Sequence, residues 1–317
     1  RQQKKLYEKS PYNVIRLELG KTFSGDNGVQ NRYRRAKTFF EKWLSEGVLV
    51  QDEEPSIYIY EHLFRKGKRL GCRLGFVALL KLEGSKHSIY PHEKTFPSPK
   101  EDRFLLLQHL RANVSPLFFL FSDRKKEVAT LMRQAMRRTA LIVDISCGTE
   151  RHKVWRLTEP SLIKRLRTSI AQHPLFIADG HHRFEVARTF QRKMKGKRGN
   201  YVMAYFSNLL DLDLTILPIH RVVKGLDGDF DTLQKRLSRL FTFKALSSAS
   251  ALLKAMEKKK DAYVFGMYWK GKPFYLLTLK HRKALSQIDA SIRRSRPWRR
   301  LDVTVLHELI LKRGCGL

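Results

Sequence analysis

The chain has 317 residues, of which 42% are hydrophobic and 11% aromatic. This length is enough for one large domain or two packed lobes, and the composition excludes a disordered chain. No run of about 18 uncharged apolar residues occurs, which excludes a transmembrane helix, and we therefore expect no membrane partner.

The net charge is strongly positive, at +33, because the chain has 63 Lys and Arg residues and 30 Asp and Glu residues. Such a field attracts polyanions, including nucleic acid and phosphorylated small molecules. The basic residues are spread along the whole chain, so an ordinary basic surface explains them equally well. No zinc finger, aromatic RNA-binding pattern or basic zipper accompanies them. The charge therefore favours nucleic acid as a partner, bound without sequence specificity.

The three cysteines, Cys72, Cys147 and Cys315, are far apart and form no C-x-x-C pair. This spacing argues against a disulfide framework and favours a reducing, cytoplasmic location. The first residues lack the apolar run of a signal peptide. The chain begins with Arg1 and not with Met, which favours a truncated reading of a longer gene.

Hydrophobic periodicity and turn signals predict helices and strands in mixed order. In chain order, the predicted elements are a strand over residues 14–19, a helix over 31–44, strands over 56–60 and 74–80, a helix from Ser98 with a capping box to Glu101, a buried strand over 117–121, a basic helix over 126–138, a second buried strand over 141–145, a helix over 160–170, a strand over 175–178, a helix after Gly180, and strands over 201–206 and 214–217 paired as a hairpin.

From residue 225 the pattern changes to helix, strand, helix and a hairpin turning at Gly271, which predicts a smaller lobe. The mixture favours an α+β fold of mixed sheets with packed helices. We expect a main lobe over residues 1–224, a smaller α+β lobe over 225–300 and a C-terminal helix within 301–317.

The most informative segment for function is Asp179-Gly180-His181-His182-Arg183. A glycine between a strand and a helix exposes free backbone N–H groups at the positive end of the helix dipole, which favours anion binding. Arg183 can add a bidentate phosphate contact, the two histidines add donors, and Asp179 could hold Mg²⁺ or a substrate hydroxyl. In the alternative interpretation, Asp179 only caps the helix. A zinc site is disfavoured, since adjacent helical residues diverge by about 100 degrees.

A second candidate is the proline-rich loop containing His92, Glu93, Lys94 and Thr95. A glutamate beside a histidine and a lysine could act as a general base toward a hydroxyl group. A solvated polar loop explains the same residues, because loops are commonly polar.

Two weaker candidates are His152, near Trp155, and the pair His220 and Arg221 after a proline break. These residues could line a site. A packed tryptophan and a strand end explain them as well.

Several short blocks stand out along the chain: Ser10-Pro11-Tyr12-Asn13-Val14-Ile15-Arg16-Leu17-Glu18, Pro91-His92-Glu93-Lys94-Thr95, Glu101-Asp102-Arg103, Arg151-His152-Lys153-Val154-Trp155, the Asp179–Arg183 segment with its flanks, Leu217-Pro218-Ile219-His220-Arg221 and Leu301-Asp302-Val303. Their order and approximate spacing are those of an uncharacterised family, domain of unknown function 1015, which this chain resembles over nearly its whole length. Relative to that family, the chain lacks an initial Pro-Pro-Tyr-Asp stretch and a tail rich in Pro, Lys, Ser, Thr and Tyr. We therefore expect it to be truncated after the 301–317 helix.

The Asp-Gly-His-His-Arg block also resembles the nucleotide-binding motif of the ParB and sulfiredoxin superfamily, which includes free L-serine kinases. This resemblance implies a ParB/sulfiredoxin-like core, with Asp179, Gly180, His182 and Arg183 as the phosphate-binding element and His181 at a variable position. It further implies ATP or ADP with Mg²⁺, and phosphoryl transfer to a small hydroxyl compound with Glu93 and Asp179 as catalytic residues. Two alternatives remain open: a nucleic-acid-associated, ParB-like binding protein and a nucleotide-binding module without catalysis.

Overall fold

The structure is a computed structural model that describes residues 2–67, 69–82, 89–91, 97–194, 197–215, 220–226, 228–259, 262–288 and 295–317. The chain divides into two compact units, Arg1–Leu217 and Pro218–Leu317, and each has its own hydrophobic core.

The first unit contains one mixed eight-stranded sheet with packed helices, which confirms the predicted α+β class. Its strands are β1 (Ile57–Lys66), β2 (Arg69–Lys81), β3 (Ile89–Tyr90), β4 (Leu117–Phe121), β5 (Leu141–Cys147), β6 (Glu150–Leu157), β7 (Leu175–Asp179) and β8 (Tyr201–Asn208). Its α-helices are α1 (Gln2–Lys9), α2 (Ile15–Glu18), α3 (Arg32–Ser45), α4 (Pro97–Leu110), α5 (Glu127–Met136), α6 (Pro160–Ile170) and α7 (His181–Lys193), with a 3-10 turn at Lys197–Asn200.

The sheet order is β3-β7-β4-β8-β2-β1-β6-β5. The pairs β3–β7 and β4–β8 are parallel, and the other neighbours are antiparallel. Strand β4 is a continuous apolar run whose Leu117, Phe119 and Phe121 are fully buried, as expected of a strand covered on both faces. It pairs with β7 on one side, which fixes the end of β7 beside the start of β4.

The second unit contains a three-stranded antiparallel sheet in the order β10-β11-β9. Its elements are α8 (Phe230–Leu237), β9 (Phe241–Leu246), α9 (Ala249–Glu257), β10 (Val264–Tyr268), β11 (Phe274–Leu279), a 3-10 helix (Arg282–Gln287), α10 (Arg296–Arg299), α11 (Asp302–Val305) and a π-helical segment (Leu306–Lys312). The predicted hairpin at Gly271 and the helix within residues 301–312 are thus confirmed. Within the parts of the chain that the structure describes, no helix has the length and apolarity to cross a bilayer.

The strand prediction for residues 14–19 is wrong, because this segment forms the one-turn helix α2. The side chain of Asn13 accepts a hydrogen bond from the backbone N–H of Ile15, and Glu18 N donates to Val14 O, so local bonds close a helical turn. An apolar run this short fits either conformation, and burial of Leu17 decides between them.

Three smaller expectations are also wrong. Strand β8 pairs with β2 and β4 instead of forming a hairpin with residues 214–217, of which 214 and 215 lie outside any strand and 216 and 217 lie outside the described residues. Strand β5 forms but is exposed, because it is an edge strand with one neighbour. Helix α4 begins at Pro97, so Ser98 lies inside the helix and is not its N-cap.

Candidate functional site

The junction between β7 and α7 forms as the sequence predicts. Strand β7 ends at Asp179, helix α7 begins at His181, and Gly180 connects them with φ at +94°. A side chain at this position would be strained, and its Cβ would lie 2.7 Å from Cδ2 of the fully buried Leu117. The backbone therefore requires glycine here, and α7 begins without a side-chain cap.

Arg183, in the first turn of α7, is held by three hydrogen bonds. Its Nη1 donates to Ser115 Oγ at 2.6 Å and to the Pro116 carbonyl at 2.9 Å. Its Nη2 donates to Asp179 Oδ2 at 2.7 Å. The guanidinium thus lies beside Gly180 and ties α7 to the segment that leads into β4.

Asp179 precedes the N-cap of α7, and its carboxylate pairs with Arg183 four residues later. The observed partner is therefore the arginine, and the N-cap position is taken by Gly180. The side chain of Asp179 is 72% exposed, so its carboxylate remains accessible to solvent. Ion pairs this exposed contribute little to stability and are readily exchanged for another partner.

The two histidines of the motif have different surroundings. His181 is 3% exposed, so a dissolved ligand does not reach its side chain. Its contribution to an anion site would be its backbone N–H at the start of the helix. His182 is half-buried. Both have partners within the protein.

A chain of polar contacts runs from this junction to two other sequence blocks. Ser115 Oγ, which accepts from Arg183, donates to Glu18 Oε1 at 3.0 Å. The Glu18 carboxylate lies 3.9 Å from Arg103 Nη1, and Arg103 Nη2 lies 2.8 Å from Asp102 Oδ2. Side chains from residues 18, 102–103 and 179–183 therefore meet in one network.

Among the described contacts, Asp102 has more hydrogen-bond and ion-pair partners than the other carboxylates of this network. It accepts from the Tyr33 hydroxyl at 2.8 Å and forms an ion pair with Arg32. Burial raises the pKa of Asp102, but the hydrogen bonds from Tyr33 and Arg103 and the arginine charges outweigh it, so the pKa lies below its usual value. Burial also raises the pKa of Tyr33, which keeps its hydroxyl protonated as a donor.

Sequence reasoning missed Ser115, Arg32 and Tyr33 as members of this network. Ser115 carries no signal beyond its place before Pro116 and the apolar run of β4. Asp102, Arg103 and Glu18 were marked by resemblance alone, since no local pattern indicates that residues so far apart approach one another.

Other predicted site residues lie elsewhere or outside the described part of the chain. His92, Glu93, Lys94 and Thr95 lie outside the described residues, so the catalytic role of Glu93 stays a prediction. His220 and Arg221 are exposed residues of the second unit.

His152 lies on β6, and four strands separate β6 from β7 in the sheet. At about 4.8 Å per strand, this places it roughly 24 Å from the junction. His152 therefore does not line the site at α7.

A separate cleft of about 1460 Å³ lies in the first unit between the sheet and α6. Its lining is mostly apolar and includes Ile57, Leu80, Ile163 and Tyr201. Asp179 to Arg183 are not among the described residues that line it, so the junction is a surface site of its own.

These features define a basic α+β protein whose mixed sheet carries a glycine-led strand-to-helix junction with an arginine fixed across it. The family described as protein of unknown function (DUF1015) matches residues 1–304, and the chain belongs to this family. Neither the curated proteins nor the solved structures gave a match. The likeness to ParB, sulfiredoxin and serine kinases stays a prediction.

Proposed function

We propose that this protein binds a nucleotide, ATP or ADP with Mg²⁺, at the start of α7 and transfers a phosphoryl group to a small hydroxyl compound. The observation that carries the proposal is the position of Arg183, which Ser115 and Pro116 hold beside the uncapped first turn of a 13-residue helix. The proposal includes a ParB/sulfiredoxin-like core around this junction, as the resemblance of the Asp-Gly-His-His-Arg block implies.

The electrostatics of the junction favour a phosphate group. The first turn of α7 supplies backbone N–H donors and the positive end of the helix dipole. Arg183 supplies a permanent charge in a planar geometry that suits phosphate oxygens. The net charge of +33 adds a long-range field that attracts an anion.

The contacts of Arg183 indicate which of its groups serves the ligand. Its Nη1 is engaged by Ser115 and by the Pro116 carbonyl, which fixes the side chain. Its Nη2 pairs with the exposed carboxylate of Asp179. Because such exposed ion pairs contribute little free energy, replacing Asp179 by another anion costs little. A phosphate would take the place of Asp179 on Nη2, and Asp179 would then be released.

Asp179 fits a magnesium site, because its exposed carboxylate offers the hard oxygen ligand that Mg²⁺ prefers. Mg²⁺ would neutralise charge on the phosphates. Glu93 would accept the proton of the attacking hydroxyl, the general-base role open to a glutamate beside a histidine and a lysine. Phosphoryl transfer relies on positioning and charge neutralisation more than on covalent chemistry, so a helix N-terminus, Arg183 and Mg²⁺ would suffice.

A second candidate function is nonspecific nucleic-acid binding, which the net charge of +33 favours. It differs from the first in its dependence on Arg183. A nucleotide bound at α7 requires this residue, whereas a diffuse basic surface does not.

A thermal-shift panel tests the proposal. ATP, ADP and other nucleotides, each with and without Mg²⁺, are compared by the rise in melting temperature, because a ligand that binds only the folded state stabilises it. Arg183→Ala should abolish most of the rise, whereas Arg188→Ala, an exposed arginine later on α7, should keep it. A panel without any rise, or a rise that Arg183→Ala leaves unchanged, would remove the support for a nucleotide site at α7.

A further inference from the structure

A second group of polar side chains lies on β1 and β6, toward the other end of the eight-stranded sheet from β7. Glu150 and His152 are two residues apart on β6, so both project from the same face. His62 lies directly opposite His152 on the neighbouring strand β1. The cluster of His62, Glu150 and His152 thus joins residues that are 88 and 90 positions apart in the chain.

The hairpin between β5 and β6 positions the carboxylate. Cys147 pairs with Glu150 across a two-residue turn, in which Gly148 adopts φ of +61°. This turn places Glu150 at the first position of β6, where its side chain is 48% exposed. The two histidine side chains, 16% and 23% exposed, lie deeper on the sheet.

The three potential ligand atoms already lie close together. Glu150 Oε2 is 3.0 Å from His62 Nε2 and 3.7 Å from His152 Nε2. All three atoms are within 4.8 Å of one another. Around one tetrahedral ion, ligand atoms stand roughly 3.3 Å apart, given metal–ligand distances of about 2.0–2.1 Å. Small rotations of the stacked imidazole rings and of the exposed Glu150 would close this difference.

Tyr60 provides a second contact that orients one of the ligands. Its hydroxyl lies 2.7 Å from His152 Nδ1, on the side of the ring away from Nε2. With the proton on Nδ1 donated to Tyr60, the Nε2 lone pair is free and directed at the cluster. Metal-bound histidines usually have such a partner on their other nitrogen.

Two arginines lie on the strands around the cluster and have contacts of their own. Arg73 lies opposite His62 on β2, but its guanidinium stacks over the Phe64 ring at 5.5 Å from the centroid. Arg151 alternates to the other face of β6 and forms a bidentate pair with Asp144. Glu150 Oε2 is the carboxylate oxygen that lies against both imidazoles.

We propose that His62, Glu150 and His152 bind one divalent transition-metal ion of the Zn²⁺ class. Two imidazole nitrogens and one carboxylate oxygen are donors that suit zinc, and three protein ligands leave a position for water or a substrate atom. This metal site is independent of the nucleotide site proposed at α7.

Zinc binding to the whole 317-residue chain tests the proposal. The protein is treated with a chelator, dialysed and titrated with Zn²⁺ by calorimetry and by competition with a chromogenic chelator. We expect one strong site per chain. Cobalt bound at the same site should give the visible absorption of a four-coordinate ion.

Single substitutions separate this site from adventitious surface histidines. His62→Ala, His152→Ala and Glu150→Gln should each weaken zinc binding by about tenfold or more, and Tyr60→Phe by about 10–100-fold through the orientation of His152. His281→Ala, an exposed histidine of the second unit, is the matched control and should leave the affinity unchanged. Circular dichroism confirms that each variant is folded, and Glu150→Gln is the variant least able to disturb the sheet.

Two results would overturn the proposal. One is the absence of one-to-one zinc binding by the wild-type chain. The other is an unchanged affinity in folded Glu150→Gln and in the double variant His62→Ala/His152→Ala.

Discussion

Arg183 Nη1 donates a 2.6 Å hydrogen bond to Oγ of Ser115, which lies 68 residues earlier in the chain. The same nitrogen donates to the Pro116 carbonyl, so one guanidinium connects the first turn of α7 to the segment before β4. Arg183 is therefore part of the fold as well as the candidate ligand for phosphate. Its two roles have different experimental consequences.

Removal of Arg183 should destabilise the protein even without a ligand. Arg183→Ala leaves the half-buried Ser115 and the Pro116 carbonyl without their charged donor, which should lower the free energy of unfolding by about 1–3 kcal/mol. Urea unfolding measures this change. Arg188→Ala on the same helix should stay within about 0.5 kcal/mol of the wild type, since the residue is exposed. Equal stabilities for both variants would show that the contacts of Arg183 are energetically neutral.

If the kinase proposal holds, substitution of Glu93 should lower turnover, whereas substitution of Arg183 should lower nucleotide affinity. Glu93→Gln cannot accept a proton, so nucleotide should still bind while turnover falls by roughly 10²–10⁴-fold. Arg183→Ala loses a charge-assisted contact of about 1.5–3 kcal/mol, so nucleotide affinity should weaken by at least about tenfold. Product formation from nucleotide with L-serine or other small alcohols, compared with calorimetric affinity, separates the two effects. Absence of turnover with every pair, together with unchanged affinity in Arg183→Ala, would contradict the proposal.

Gly180 should tolerate no side chain. Gly180→Ala forces φ near +94° on alanine and places Cβ 2.7 Å from the buried Leu117 side chain, so a loss of about 2–4 kcal/mol is expected. Gly47→Ala is the matched control, because its φ is +70° and its Cβ would meet nothing within 4 Å. That variant isolates the cost of the left-handed backbone, about 1–2 kcal/mol. Chemical unfolding of both variants gives the difference, and equal losses would mean that Leu117 moves aside freely.

Asp102 should contribute stability that depends on pH. Its folded pKa lies below its ordinary value near 3.9, so the folded state binds fewer protons than the unfolded state. The contribution is therefore complete above the unfolded pKa and is lost as the pH falls through the folded pKa. Asp102→Asn should be less stable than the wild type by about 1–2 kcal/mol at about pH 6.

That difference should shrink as the pH is lowered toward about 3, as measured by urea unfolding at each pH. Asp231→Asn, at a 79% exposed position on α8, serves as the control and should follow the wild-type curve. A constant difference between Asp102→Asn and the wild type over this range would rule out the titration as its cause.

Duplex DNA should bind weakly and without sequence preference, because the basic residues are spread over the chain. Counterion release predicts that affinity falls by roughly 10³-fold or more between about 50 and 200 mM salt if six or more phosphates are neutralised. Fluorescence anisotropy with two unrelated duplexes measures both properties, and Arg183→Ala should match the wild type. Tight, sequence-selective binding that survives high salt would instead favour the ParB-like alternative.

Local sequence signals sufficed to predict the strand-to-helix junction at residues 175–193. An apolar run, an Asp-Gly pair and a helical periodicity are local signals, and a left-handed turn at Gly180 follows from the backbone freedom of glycine. The α+β class could be predicted for the same reason, because helices and strands each have a characteristic spacing of apolar residues along the sequence. Where a run was too short to distinguish the periods, as in α2, the sequence predicted the wrong element.

Which elements become neighbours depends on the packing of the whole chain. The pairing of β7 with β4 brings Ser115 to Arg183, and the pairing of β1 with β6 brings His62 to His152. No local pattern specifies these contacts, because strand order depends on how the whole chain buries its apolar faces. A side chain such as Ser115 therefore acquires its role from long-range packing, whereas Gly180 has its role fixed by the residues on either side.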